Sequence, residues 1–190
     1  HGLAILAPCA RQAGAEVDLI DLRALPSWQA FRAEVERRRP DVVGVSMMSA
    51  DYNPAMRALE IVRQVDPKIR TCVGGPHPTI CPAEVQGSPL VDHIFLGEGE
   101  ISFADAVRKW LRGEEVPAIV PGIHPDLDAI PCADHELFLA EWRRWGYGLD
   151  SPEAPFVPEL PAPFVTIIAG RGCMYNCSYC QPAERHIFGR

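Results

Sequence analysis

The feature that most limits the folds open to this sequence is an alternation. Short apolar runs at residues 17–22 (V-D-L-I-D-L), 42–47 (V-V-G-V-S-M), 69–73 (I-R-T-C-V) and 91–96 (V-D-H-I-F-L) are separated by stretches whose apolar residues recur at helical spacing. Trp28, Phe31 and Val35 mark one such stretch, ending at Pro40. Ala55, Leu59, Val62 and Val65 mark a second, opened by Asn53-Pro54, and Phe103, Val107, Trp110 and Leu111 a third. Residues 3–13 also read as a helix, closed by Gly14. Pro8 either bends it or confines its start to near Ile5, because proline has no amide to donate within a helix. Short strands alternating with helices predict a parallel sheet with helices on both faces. A strand expected ahead of the first helix is missing from this order.

Such an α/β unit is Rossmann-like or flavodoxin-like, and sheets of this kind take ligands beyond the carboxyl ends of their strands. Three loops fall there: Ser46-Met47-Met48-Ser49, Gly74-Gly75-Pro76-His77-Pro78-Thr79 and Gly97-Glu98-Gly99-Glu100. All are small, polar or glycine-rich, which lets backbone approach a large ligand. Glycine after a strand is also ordinary turn chemistry, so the set carries more weight than any one loop. Glu98 and Glu100 suit the start of the following helix, where carboxylates are favoured.

Further on, a β-branched run at 164–168 (F-V-T-I-I), bounded by Pro163 and Gly170, suits a buried parallel strand. Three cysteines follow at Cys173, Cys177 and Cys180. Thiolates spaced this closely can converge on one soft metal or cluster. A structural zinc site would want a fourth ligand, which His186 could supply. An iron-sulfur cluster could instead take the three cysteines and leave one iron open.

The C-x3-C-x2-C spacing, with Tyr179 before the last cysteine, resembles the radical S-adenosylmethionine (SAM) enzyme family. The resemblance implies a [4Fe-4S] cluster on Cys173, Cys177 and Cys180, SAM chelated at the open iron, and Tyr179 near the adenine. Upstream, V-G-V-S at 43–46, V-G-G-P-H-P-T at 73–79 and G-E-G-E at 97–100 resemble the cobalamin-binding domain of the B12-dependent branch. Residues 127–131 (L-D-A-I-P) resemble its linker. This carry-over implies cobalamin across the strand ends, contacted by Ser46, Met47, Ser49, Gly74, Gly75, Pro76, His77, Gly97, Glu98 and Gly99. The D-x-H-x-x-G ligand motif of some cobalamin proteins is absent, and His77 reads as a loop histidine near the corrin amides or water. The implied activity is methyl transfer to an unactivated carbon, with ring-modifying chemistry or methylthiolation as alternatives. A small-molecule or peptide substrate and an electron donor such as flavodoxin or ferredoxin are the implied partners. From another class, a non-catalytic corrinoid- or zinc-binding module is the competing reading.

Residues 1–112 are expected to form the cobalamin domain, 113–162 an interdomain linker and 163–190 the start of a catalytic barrel. Nine of the 19 prolines lie between Pro117 and Pro163, and the aromatic group Phe138, Trp142, Trp145 and Tyr147 there is expected to pack against the next domain. Only ten residues follow Cys180, whereas such a barrel takes roughly 200 or more, so a fragment is expected. A net charge of −7, with 18 basic against 25 acidic residues, gives no basic surface for nucleic acid. No apolar run approaches the roughly 18–20 residues of a membrane span. An odd count of 7 cysteines suits a reducing compartment, with Cys9, Cys72, Cys81 and Cys132 as incidental thiols. The expected location is the cytoplasm.

Overall fold

The computed structural model describes residues 2–147 and Arg171. The run at 164–168, Cys173, Cys177, Tyr179 and Cys180 lie outside the described residues.

Among the described residues four strands, β1 (Val42–Ser46), β2 (Arg70–Gly74), β3 (His93–Phe95) and β4 (Ile119–Val120), form one parallel sheet in the order β1-β2-β3-β4. Register pairs Val42 with Arg70, Cys72 with His93 and Ile94 with Ile119. Helices α1 (Gly2–Gln12), α2 (Trp28–Arg38), α3 (Tyr52–Val65) and α6 (Glu100–Leu111) cover the faces. The expected α/β architecture is therefore the one observed.

Neighbouring strand residues point to opposite faces. Val45, Val73, Ile94 and Ile119 pack with α3 residues Ala55 and Leu59. Cys72, Phe95 and Val120 pack on the other side with Phe103, Ala106 and Trp110 of α6. Both faces are thus apolar, which is why the strands read as nearly continuous hydrophobic runs. Beyond the sheet, α2 closes on α3 through Phe31, Val35, Ala58 and Val62. On the far side α1 closes on α6 through Cys9, Ala13, Ala104 and Val107.

Pro8 lies inside α1 without ending it. Its missing amide frees the carbonyl of Ala4, a fully buried residue, and the Asp134 N–H donates to that oxygen at 2.7 Å. An otherwise costly orphan acceptor thereby becomes a tie to a distant segment.

Residues 17–22 were expected as a strand, but they pair with no described strand. Side chains, not a neighbouring strand, bond the backbone at Leu19 and just beyond the segment at Arg23. Leu19 N–H donates to Asp18 Oδ1, the Leu19 carbonyl accepts from Arg38, and Asp21 accepts from the Arg23 amide. Short acidic side chains offer the backbone this alternative to a ladder.

The glycine-proline loop after β2 is more ordered than its composition suggests. It contains α4 (Pro76–Ile80) and α5 (Pro82–Val85), each begun by a proline at the position where the lost amide costs nothing. The proline-rich stretch after residue 113 contributes β4 and α7 (Glu136–Arg144). Trp142 of α7 is buried and its indole N–H donates to Asp21 Oδ2 at 2.9 Å, so this aromatic packs back onto the first unit.

Candidate functional site

The three expected loops follow β1, β2 and β3, and parallel strands bring them to one edge of the sheet. Hydrogen bonds stitch them into a continuous rim. Met47 N–H donates to the Gly74 carbonyl at 3.0 Å, and His77 N–H to the Met47 carbonyl at 3.1 Å. The Thr79 hydroxyl donates to the Gly75 carbonyl at 2.8 Å and accepts from Gly97 N–H at 2.9 Å. Thr79 therefore joins the second loop to the third, a role its place at the end of G-G-P-H-P-T does not announce.

Within the rim the expected site residues divide. Ser46, Ser49 and Pro76 are exposed, and Gly74, Gly75, Gly97 and Gly99 half-buried. Met47, by contrast, is 1% exposed and packs with Leu59, Val73 and Val85. The exposed methionine is its neighbour Met48, at 58%. Alternation of side chains at the end of β1 is the signal that separates the two.

His77 is also interior. It is 3% exposed, its Nδ1 lies 3.1 Å from Ser49 Oγ, and its ring meets Tyr52 edge-on at 5.1 Å. Its Nε2 is buried without a hydrogen-bond partner, 3.7 Å from Glu84 Oε2. A loop histidine open to water is not what the fold builds; this one braces the first loop against the second.

Glu98 and Glu100 do not cap α6 through hydrogen bonds. Gly99 occupies the cap, with no side-chain bond to the helix, while the two carboxylates face cations. Glu98 Oε2 accepts from His124 Nδ1 at 2.6 Å and Glu98 Oε1 from Arg171 at 3.1 Å. Burial pushes the Glu98 carboxyl up, but the bonds from His124 and Arg171 outweigh it and hold the group below the ordinary carboxylate range.

Among the described residues no three His, Cys, Asp or Glu side chains gather as a metal site. Cys9 and Cys72 are buried, and burial lifts the Cys72 thiol to about 12. No described helix is long and apolar enough to cross a membrane. What the rim offers is an edge of small residues and two exposed hydroxyls, suited to a polar-fringed ligand.

Comparison with known proteins bears on this edge. The B12 binding domain family matches residues 1–107. An uncharacterized methyltransferase of Pyrococcus horikoshii is 24% identical over 94% of this chain and 39% of its own length. The anaerobic magnesium-protoporphyrin IX monomethyl ester cyclase of Rubrivivax gelatinosus is 25% identical, over 89% of the chain and 32% of its own length. The cobalamin-dependent radical SAM methyltransferase TokK of Streptomyces tokunonensis is 25% identical, over 74% of the chain and 22% of its own length. The chain thus spans well under half the length of these curated relatives.

Proposed function

The chain belongs to the B12 binding domain family through residues 1–107, and from that premise we propose that its strand-end rim carries the corrinoid of a cobalamin-dependent radical SAM methyltransferase. The observation that carries the reading is the stitched rim. Three loops locked by Thr79 and by the Met47–Gly74 bond give a prebuilt edge, so a ligand need not order them on binding.

The residues fit a corrinoid. Ser46 and Ser49 hydroxyls and the backbone at Gly74, Gly75, Gly97 and Gly99 would meet its amides, and Met48 its apolar edge. Met47, His77 and Glu98 support this surface from behind, the first by packing and the others through Ser49 and Arg171. Cys173, Cys177 and Cys180 would hold the [4Fe-4S] cluster with SAM at its open iron, Tyr179 near the adenine. Cobalamin would supply a transferable methyl group, and the cluster with SAM the one-electron chemistry that activates a carbon. The proposed arrangement is 1–112 as the cobalamin unit, 113–162 as the connection and 163–190 as the start of the barrel. A small-molecule or peptide substrate, a flavodoxin- or ferredoxin-type donor and a cytoplasmic setting complete the proposal.

Ring modification is the second reading, favoured by the cyclase among the relatives. The test uses full-length protein, reconstituted anaerobically with iron and sulfide and examined by EPR beside a Cys177→Ala variant. The reading expects a cluster signal that this change abolishes; a zinc-only protein, or an indifferent cluster, would sink it. Incubation with methyl-labelled SAM and reduced cobalamin then separates the reactions. Label in the corrinoid is expected for a methyltransferase, and its absence would favour the cyclase.

A further inference from the structure

Arg171 stands in G-R-G-C, two residues before Cys173. Its guanidinium reaches back to the rim: Nη1 donates to Glu98 Oε1 at 3.1 Å and Nη2 to Glu100 Oε1 at 2.6 Å. The three side chains are 22%, 13% and 8% exposed, so this is not a solvated surface pair. Gly122 allows the segment carrying His124 to lie against the same loop. A Cβ at 122 would come 2.4 Å from the Leu96 carbonyl and 2.7 Å from Glu98 N. Two neighbouring carboxylates withdrawn from water repel, and neither is tolerated without a partner. A planar fork with fixed donor directions reaches one oxygen of each carboxylate at once, which a lysine ammonium does less well, and leaves Glu100 Oε2 buried without a hydrogen bond.

We propose that Arg171 is a positioning residue, held by Glu98 and Glu100 so that the chain leading into Cys173 keeps its register with the strand-end rim. Extended chain covers at most about 7 Å in two residues, so fixing Arg171 restrains where the cysteine sequence begins. The G-E-G-E carboxylates thereby link the corrinoid edge to the cluster ligands. This rests on the proposed function for the meaning of those cysteines, but the contact is testable without it.

The experiment compares full-length wild type with Arg171→Ala, Arg171→Lys, the Glu98→Gln/Glu100→Gln pair, and that pair combined with Arg171→Ala. Without cofactors, amide hydrogen exchange is followed in the peptide spanning 168–176. Exchange at least about tenfold faster is expected for Arg171→Ala and for the glutamine pair, with no further gain on combining them, because both break the same two Arg171 ion pairs and the Glu98–His124 bond lies outside the peptide followed. Exchange unchanged by Arg171→Ala, or effects that simply multiply, would overturn the proposal. With cofactors loaded, the dipolar coupling between cob(II)alamin and the reduced cluster is read by pulsed EPR. A sharp coupling that broadens in Arg171→Ala and partly recovers in Arg171→Lys is expected; identical coupling in all variants would overturn it. A wild type that takes up neither cobalamin nor iron would instead overturn the proposed function, and the exchange experiment would still decide the tether.

Discussion

At Gly75 the backbone takes φ +95°, and a Cβ there would come 2.9 Å from Ser46 Oγ and 3.0 Å from the Met47 carbonyl. Left-handed strain and a close backbone approach act together. Gly75→Ala is expected to cost about 1–3 kcal/mol, read as a lower urea midpoint. Gly44 in β1 has nothing within 4 Å, and Gly44→Ala should shift stability by less than about 1 kcal/mol in the same assay. The sequence shows these glycines alike. It marks the loops but not which glycine makes room for a ligand and which makes room for a neighbouring loop. Met47 and Met48 differ in this respect, because alternation continued from Val45 assigns Met47 to the interior and leaves Met48 exposed. Thr79→Val keeps the shape but strips the hydroxyl that bridges Gly75 and Gly97, leaving the Gly97 amide unpaired. A loss of about 1–3 kcal/mol is expected, measured by thermal unfolding.

Between elements, the docking of α7 on α2 is electrostatic as much as apolar. Arg38 of α2 donates to Glu34 on its own helix and to Glu141 of α7, each at 2.8 Å, while Arg144 of α7 donates to Glu34 at 2.7 Å. Burial pushes Glu34 up, but the bonds from Arg37 and Arg38 and the charges of Arg38 and Arg144 bring its carboxyl down from the ordinary 4.5 to about 2. A folded-state pKa below the unfolded one means stability present above about 4.5 and lost as pH falls towards about 2. Acid titration in that window should release α7, changing Trp142 fluorescence as its bond to Asp21 breaks; a signal flat down to pH 2 would contradict this. The alternation of runs made β1, β2, β3 and the long helices readable, because burial on both faces leaves a hydrophobic imprint. The two-residue β4 leaves almost none. Residues 17–22 carry the imprint without the ladder, since strand pairing depends on a neighbour that local periodicity does not report.

At the scale of the molecule, the sheet brings together three loops distant in sequence, and Arg171 ties a fourth segment to them. The place of the three loops at the strand ends was legible because each strand-loop motif is local. The pairing of Arg171 with Glu98 and Glu100, more than 70 residues away, was not, because only the fold creates it. On the proposed function, the rim is a corrinoid surface built before the ligand arrives. Equilibrium dialysis of hydroxocobalamin against wild type and Thr79→Val, each verified as folded, tests this most directly. One corrinoid per wild-type chain is expected, with binding at least about tenfold weaker in the variant, a loss of about 1.4 kcal/mol. No retained corrinoid, or equal affinity in the two proteins, would contradict it.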